Sequence, residues 1–191
     1  ATGDKTPFKT REIEDKSFSF IIKPMANSLY FLRITGAVNR FNLSLSSPKT
    51  FAQKRTGDNL VSGLFFGLVM AMVLYNLFIF FSTKSLSYLY YVLYVLFYGI
   101  MFFMQLGLGQ RFLAPDSIWM GNNGIMFFTG LAIVFLLLSA NKFLRLKEAT
   151  PKLYRGMQFL VFLYFLLIPF SFIFSLSFNT KFTLLINLFT G

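Results

Sequence analysis

Four long stretches without any charged side chain constrain this chain more than any other feature of its sequence. The first runs from Asn59 to Thr83, and the others follow Lys84, Asp116 and Arg155. About 20 apolar residues in a helix match a hydrocarbon core roughly 30 Å thick. A soluble domain cannot leave so much of its length uncharged, because its surface has to be solvated. We therefore expect an integral membrane α-helical bundle.

The same pattern predicts a transmembrane domain over 54–191, with four complete spans and the start of a fifth. A tight polar break, STKS at 82–85, separates the first two spans. Pro169 lies inside the fourth span and should kink it, because proline removes a backbone donor. The fifth would reach only about 18 Å as a helix, so we expect it to be truncated. The expected spans are about 59–82, 87–106, 118–140, 157–178 and 180–191.

Residues 1–53 have a different pattern, in which short apolar segments are separated by Pro, Asn and Gly. The segments are SFSFII at 17–22, SLYFLRIT at 28–35 and FNLSLS at 41–46. In the last one, apolar and polar residues alternate, which is typical of a strand with one buried face. Three strands bury such a face poorly by themselves. We therefore expect 1–53 to be the C-terminal part of a larger all-β sandwich.

The residue types that carry most enzyme chemistry are missing. The chain contains no cysteine and no histidine, so it lacks thiolate nucleophiles, thiolate or imidazole metal ligands, and the usual general base. The expected spans hold no Asp, Glu, Lys, Arg or His deep in the membrane, whereas ion-coupled transporters usually need one. We expect no catalytic, cofactor-binding or metal-binding residue in this chain, and a transporter is disfavoured.

The net charge of +11 indicates a membrane surface rather than a nucleic acid as the partner. Many basic residues precede residue 56, where they are interleaved with acids, and five more cluster between the third and fourth spans. Such a cluster is typical of a short basic loop at a membrane face. We expect contact with anionic lipid headgroups, and solvated charge without lipid contact is the alternative. The loop residues are Lys142, Arg145, Lys147, Lys152 and Arg155.

Charge also predicts the orientation of the spans. With the amino terminus outside, Lys84 and the basic loop lie inside, as the positive-inside rule requires for short loops. Lys54 and Arg55, beside the first span, favour the opposite orientation. A long exported domain is largely exempt from the rule, so an extracellular sandwich removes the conflict. We expect the amino-terminal region to lie outside the membrane.

Small residues recur along the first expected span. Gly63, Gly67 and Ala71 follow one another at four-residue spacing, which lets another helix backbone approach closely. Further along the same span, Asn76 is expected to form a hydrogen bond to another helix, and contact with a ligand is the alternative. We expect this part of the span to pack against protein.

Polar side chains form a stripe on the second expected span. At 100° per residue they fall within an arc of about 120°. Three interpretations remain open: an interfacial aromatic belt, packing inside the bundle, and contact with a ligand. The deepest tyrosine would lie near mid-membrane, where a hydroxyl needs a protein partner or an internal water. The stripe is Tyr88, Tyr91, Tyr94, Tyr98 and Gln105, and the expected partners are Asn76, Thr129 and carbonyls near Pro169.

Residues 63–113 resemble a bacterial family, the seven-transmembrane receptors with diverse intracellular signalling modules. The resemblance lies in the Gly63 and Gly67 opening, the adjacent Tyr75 and Asn76, SYLYYVLY at 87–94 and GLGQRFL at 107–113. The sequence NKFLRLKEATPKLYRGMQ is similar to the basic loop of the family. The segments before the first span are similar to the end of the extracellular β-sandwich in this family.

The resemblance implies a periplasmic sensing domain, seven helices in the bacterial inner membrane, and a cytoplasmic output module that this chain lacks. The chain would then be the membrane module of a signal-transduction receptor, acting through shifts in helix packing. Expected partners are the lipid bilayer, a homodimer or larger membrane complex, and a carbohydrate-like or other small extracellular ligand. Two alternatives stay open: a non-catalytic anchor or scaffold subunit of a larger assembly, and, less favoured, a transporter fragment.

Overall fold

A computed structural model of the chain describes residues 10–13, 15, 17–22, 29–31, 33, 43–113 and 117–173. The described residues form a helical bundle. In chain order its helices are α1 (Pro48–Thr83), α2 (Leu86–Gln105), α3 (Leu108–Phe112), α4 (Ile118–Phe143), α5 (Leu146–Ala149) and α6 (Pro151–Ile173).

Three of the described helices are long and apolar enough to cross a membrane. They are Pro48–Thr83, Leu86–Gln105 and Asn123–Phe143, and they coincide with the first three expected spans. Helix α6 covers most of the fourth expected span and continues through Pro169. The end of that span and the fifth expected segment, 180–191, lie outside the described residues.

Helix α1 begins earlier than the sequence pattern predicts. Ser47 Oγ accepts a hydrogen bond from the backbone N–H of Thr50 at 3.2 Å, and Pro48 lies in the first turn, where its missing N–H is not needed. The helix has 36 residues, about 54 Å at 1.5 Å per residue, against roughly 30 Å of hydrocarbon. Its first turns therefore project beyond the membrane. The expected domain boundary at residue 53 falls inside this helix, so residues 48–53 are helical.

A tight turn joins α1 to α2, as the STKS sequence predicts. Lys84 has left-handed backbone angles, φ 55° and ψ 19°, and its N–H donates to the carbonyl of Phe80 at 2.7 Å. This geometry closes the last turn of α1 in the manner usual for helix ends. Helix α2 begins two residues later, so the two long helices run antiparallel as a hairpin.

The long helices form an open layer rather than a closed ring. Helix α2 packs against α1 on one side and α4 on the other, and α4 packs in turn against α6. Among the described residues, α1 makes no substantial contact with α4 or α6. Each long helix therefore packs mainly on its neighbours in the chain, and α1 is an edge of the layer.

Two small clusters of buried side chains lie at the outer contacts of the layer, α1 with α2 and α4 with α6. Val73 of α1 packs with Val92 and Val95 of α2, and all three side chains are buried. On the other side of the layer, Val134 of α4 packs with Tyr164 of α6. Close van der Waals packing of this kind stabilises helix contacts in membranes, where apolar burial from water contributes little.

The described residues that precede Pro48 contain no β-strand. The expected strand at 17–22 lies within them and has irregular backbone, whereas 28–35 and 41–46 lie only partly within them. A strand is held by backbone hydrogen bonds to a neighbouring strand, and the described part of the chain supplies no such neighbour. The expected sandwich thus receives no support from this region.

Candidate functional site

The tyrosine stripe is continuous on α2. The ring centroids of Tyr91 and Tyr94 are 6.0 Å apart, and those of Tyr94 and Tyr98 are also 6.0 Å apart. On the same helix, Phe97 stacks on two phenylalanine rings of α4, and Gly99 faces α1. At 100° per residue, the stripe lies between these two packed sides. Tyr91 and Tyr94 also pack against the cluster of Val73, Val92 and Val95, so the stripe extends from the contact with α1 onto a lateral face of the helix layer.

Exposure increases along the stripe towards the end of α2. Tyr88, Tyr91 and Tyr94 are partly buried, Tyr98 is 42% exposed, and Gln105 is exposed. Tyr98 is twelve residues from the start of α2, which is about 18 Å along a span of roughly 30 Å. A phenol at that depth requires a protein or water partner.

The partners expected for Tyr98 form hydrogen bonds within their own helices. Asn76 Nδ2 donates to the carbonyl of Met72 at 2.8 Å, and Thr129 Oγ1 donates to the carbonyl of Ile125 at 2.6 Å. In each bond the side chain donates to a backbone carbonyl one turn earlier in its own helix, which is common for such side chains in membrane helices. That the stripe faces further protein stays a prediction.

The small-residue ladder of α1 faces open space among the described residues. A Cβ atom placed on Gly63 or Gly67 would meet no atom within 4 Å. Ala71 and Tyr75 are exposed. The ladder therefore does not form the contact between α1 and α2, and its expected role in packing against another helix is still a prediction.

The close approach between α1 and α2 occurs at Gly99. A Cβ atom on this residue would lie 3.0 Å from Cγ1 of Val69, which is tighter than ordinary van der Waals contact. Sequence reasoning missed Gly99 because a single glycine forms no ladder. The available signal was its position on the helix, since Gly99 falls close to Val92 and Val95 at 100° per residue.

The basic loop presents its charges around a buried anchor. Leu146 of α5 is buried against the bundle, and Arg145 before it adopts left-handed backbone angles, φ 48° and ψ 41°. These two features hold the loop close to the ends of α4 and α6. All five basic side chains, those of Lys142, Arg145, Lys147, Lys152 and Arg155, are exposed.

A buried amide lies next to the basic loop. Asn141 is 7% exposed, and neither its Nδ2 nor its Oδ1 has a hydrogen-bond partner among the described residues. Nearby on α4, Ser139 Oγ donates to the backbone carbonyl of Ser87 on α2 at 3.3 Å. Sequence reasoning treated Asn141 only as the start of the loop. A burial pattern that includes a polar side chain cannot be recognised from apolar periodicity alone.

The described helices present a small number of chemical groups at their surfaces. No group of three or more His, Cys, Asp or Glu residues in the described ranges is placed to hold a metal ion. What the helices offer is phenol and amide groups on one lateral face, and cations at one end of the layer. Such groups form helix contacts, hydrogen bonds and attraction to anions.

The chain matches a known family. The family model described as 7TM diverse intracellular signalling matches residues 58–191, which is well over half of the chain. The matched region begins where α1 enters its uncharged stretch and includes every helix that follows. No curated protein and no solved structure matched the chain.

Proposed function

The chain belongs to the 7TM diverse intracellular signalling family, and from this premise we propose that it is the membrane module of a bacterial receptor. In this role it relays an event outside the inner membrane to a cytoplasmic output module on another part of the protein. The amino-terminal region lies in the periplasm and belongs to a β-sandwich that senses the signal. The family match over 58–191 is the observation that carries the proposal.

The architecture supports this function. Helix α1 is one continuous helix from its projecting first turns to the turn at Lys84, so an event outside has an unbroken structural path to the other membrane face. The helices pack through small clusters in an open layer, an arrangement in which shifts of about 1–2 Å between neighbours are feasible.

Orientation is tested by labelling cysteines that the native chain lacks. We expect a cysteine at Ser44 to react with a membrane-impermeant maleimide in intact cells. A cysteine at Thr150, beside the basic loop, should react only after lysis, because the positive-inside rule places that loop in the cytoplasm. Unmodified protein is the control for background. The opposite labelling pattern would overturn both the orientation and the periplasmic sensor.

Relay is tested by measuring whether a change at one end of the helical bundle alters the other end. Trp119 is the one tryptophan of the chain and lies at the start of α4, with its ring 5.8 Å from that of Phe127. Thr150 lies at the opposite end of the bundle. We expect a bulky biotin–streptavidin adduct on Thr150→Cys to change iodide quenching of Trp119, because coupling of about 1–3 kcal/mol is reciprocal between sites.

The control for this experiment is the chain without the introduced cysteine, which cannot react with the reagent. Unchanged quenching in reconstituted, fully modified protein would reject the relay and favour an anchor or scaffold subunit. Since the measurement reads the protein directly, it requires neither a known ligand nor the output module.

A further inference from the structure

One face of α1 is less exposed than the others, including in the turns that project beyond the membrane, and we call it the covered face. Between Pro48 and Leu64 every residue is exposed except four, which are spaced four, three and four residues apart. This spacing places them on one face of the helix. The same face continues to Val73, which packs against α2. The four residues are Phe51, Arg55, Asp58 and Ser62.

An acidic side chain from the preceding segment meets this face above the membrane. Asp15 Oδ1 lies 3.5 Å from Nε of Arg55, and the two side chains are 7% and 32% exposed respectively. Ser17 Oγ donates to Oδ2 of the same carboxylate at 2.9 Å. The carboxylate of Asp15 therefore contacts both Ser17 on its own segment and Arg55 on α1, forty residues later in the chain.

The segment around Asp15 has a defined shape of its own. Arg11 Nη1 donates to the backbone carbonyl of Asp15 at 2.8 Å, and its guanidinium lies 4.4 Å from the centroid of the Phe18 ring. Arg11 and Asp15 are both buried. These contacts pre-organise the turn, so that the carboxylate is presented to α1 at little additional cost in chain entropy.

We propose that the projecting turns of α1 are the docking surface for residues 11–13, 15, 17 and 18 of the preceding segment, and that the Asp15–Arg55 ion pair fixes these residues in place. A carboxylate buried to this extent needs a cation to offset its lost hydration, and Arg55 is a cation on the covered face. The inference rests on the proposed function only for its purpose, which is to couple the region before α1 to the membrane helices. The docking geometry itself stands apart from that function.

The test is a distance measurement on the full chain in lipid nanodiscs. Spin labels are placed on cysteines introduced at Glu12 and Gln53, both of which are exposed. We expect one narrow distance distribution for the docked segment. Asp15→Asn keeps the shape of the side chain and removes its charge, and it should raise the undocked, broad fraction relative to the docked one about fivefold.

A double-mutant comparison assigns the effect to the pair. Arg55→Gln should broaden the distribution as Asp15→Asn does, and the combined variant should be no broader than either alone, because each single change already removes the Asp15–Arg55 interaction. Lys49→Ala removes an exposed cation from the same turns and should leave the narrow distribution unchanged. Additive broadening, or a narrow distribution in both single variants, would overturn the proposal.

Two further readouts keep the test decisive. Circular dichroism and elution volume show whether each variant keeps its helices. If Asp15→Asn does not fold, Arg55→Gln is used instead to remove the ion pair. The Trp119 quenching experiment is made on chains with the native Asp15 and Arg55. A failed docking test with intact coupling of the membrane ends would therefore reject the docking surface and leave the receptor proposal standing.

Discussion

Replacement of Tyr164 by alanine should lower the free energy of unfolding by about 3 kcal/mol, the largest effect expected from a single truncation in the described bundle. Tyr164 is 5% exposed and packs with Val134 at the contact between α4 and α6. Removal of the ring leaves a cavity that two antiparallel helices can close only in part. In a membrane the loss from the ring is mainly one of van der Waals contact, since lipid is about as apolar as an aromatic ring.

The measurement is reversible unfolding in mixed micelles, followed by circular dichroism. Phe165→Ala is the matched control, because this neighbouring aromatic residue is 66% exposed and its truncation should cost less than about 1 kcal/mol. If both substitutions cost the same, the contact between α4 and α6 does not depend on the Val134–Tyr164 cluster.

Substitution of Gly99 by leucine should separate α1 from α2, at a cost of about 2 kcal/mol. Even a Cβ atom at this position would lie 3.0 Å from Cγ1 of Val69, and a longer side chain cannot be placed without moving one helix. Helix α1 has no other substantial neighbour among the described helices. The separation should therefore appear both as lower stability and as faster proteolysis near Lys84.

The control is Gly67→Leu, a change of the same size at a glycine with open space around it. We expect this variant to unfold like the unmodified chain in detergent. A large cost at Gly67 would instead reveal a partner that covers the ladder of Gly63, Gly67 and Ala71, as the four-residue spacing predicts. The pair of substitutions thus separates the contact within the hairpin from contacts that the ladder forms with other helices.

The positions of the long helices could be predicted from sequence because charge cannot enter the hydrocarbon core. Gaps between charged residues therefore determine where spans lie, and the STKS turn marks the hairpin. The beginning of α1 could not be found in this way. Outside the membrane a helix can carry charged residues, so the gap between charges does not mark where the helix starts. The missed signal was local: Ser47 followed by Pro48 is a typical helix start.

The candidate site was predictable only where it depends on one helix. The tyrosine stripe follows from helix periodicity alone, and its ring contacts on α2 agree with that periodicity. Which glycine meets a neighbour depends instead on how helices are paired and rotated, so sequence reasoning named Gly63 and Gly67 and missed Gly99. The Asp15–Arg55 pair spans forty residues, and no local pattern links its members.

Val69 lies midway between Arg55 and Thr83, the last residue of α1. Val69 is fourteen positions after Arg55 and fourteen positions before Thr83. Both stretches are about 21 Å long at 1.5 Å per residue. If a rigid α1 pivots where Val69 packs on Gly99, a sideways movement of about 1 Å at Arg55 becomes an equal and opposite movement beside Lys84.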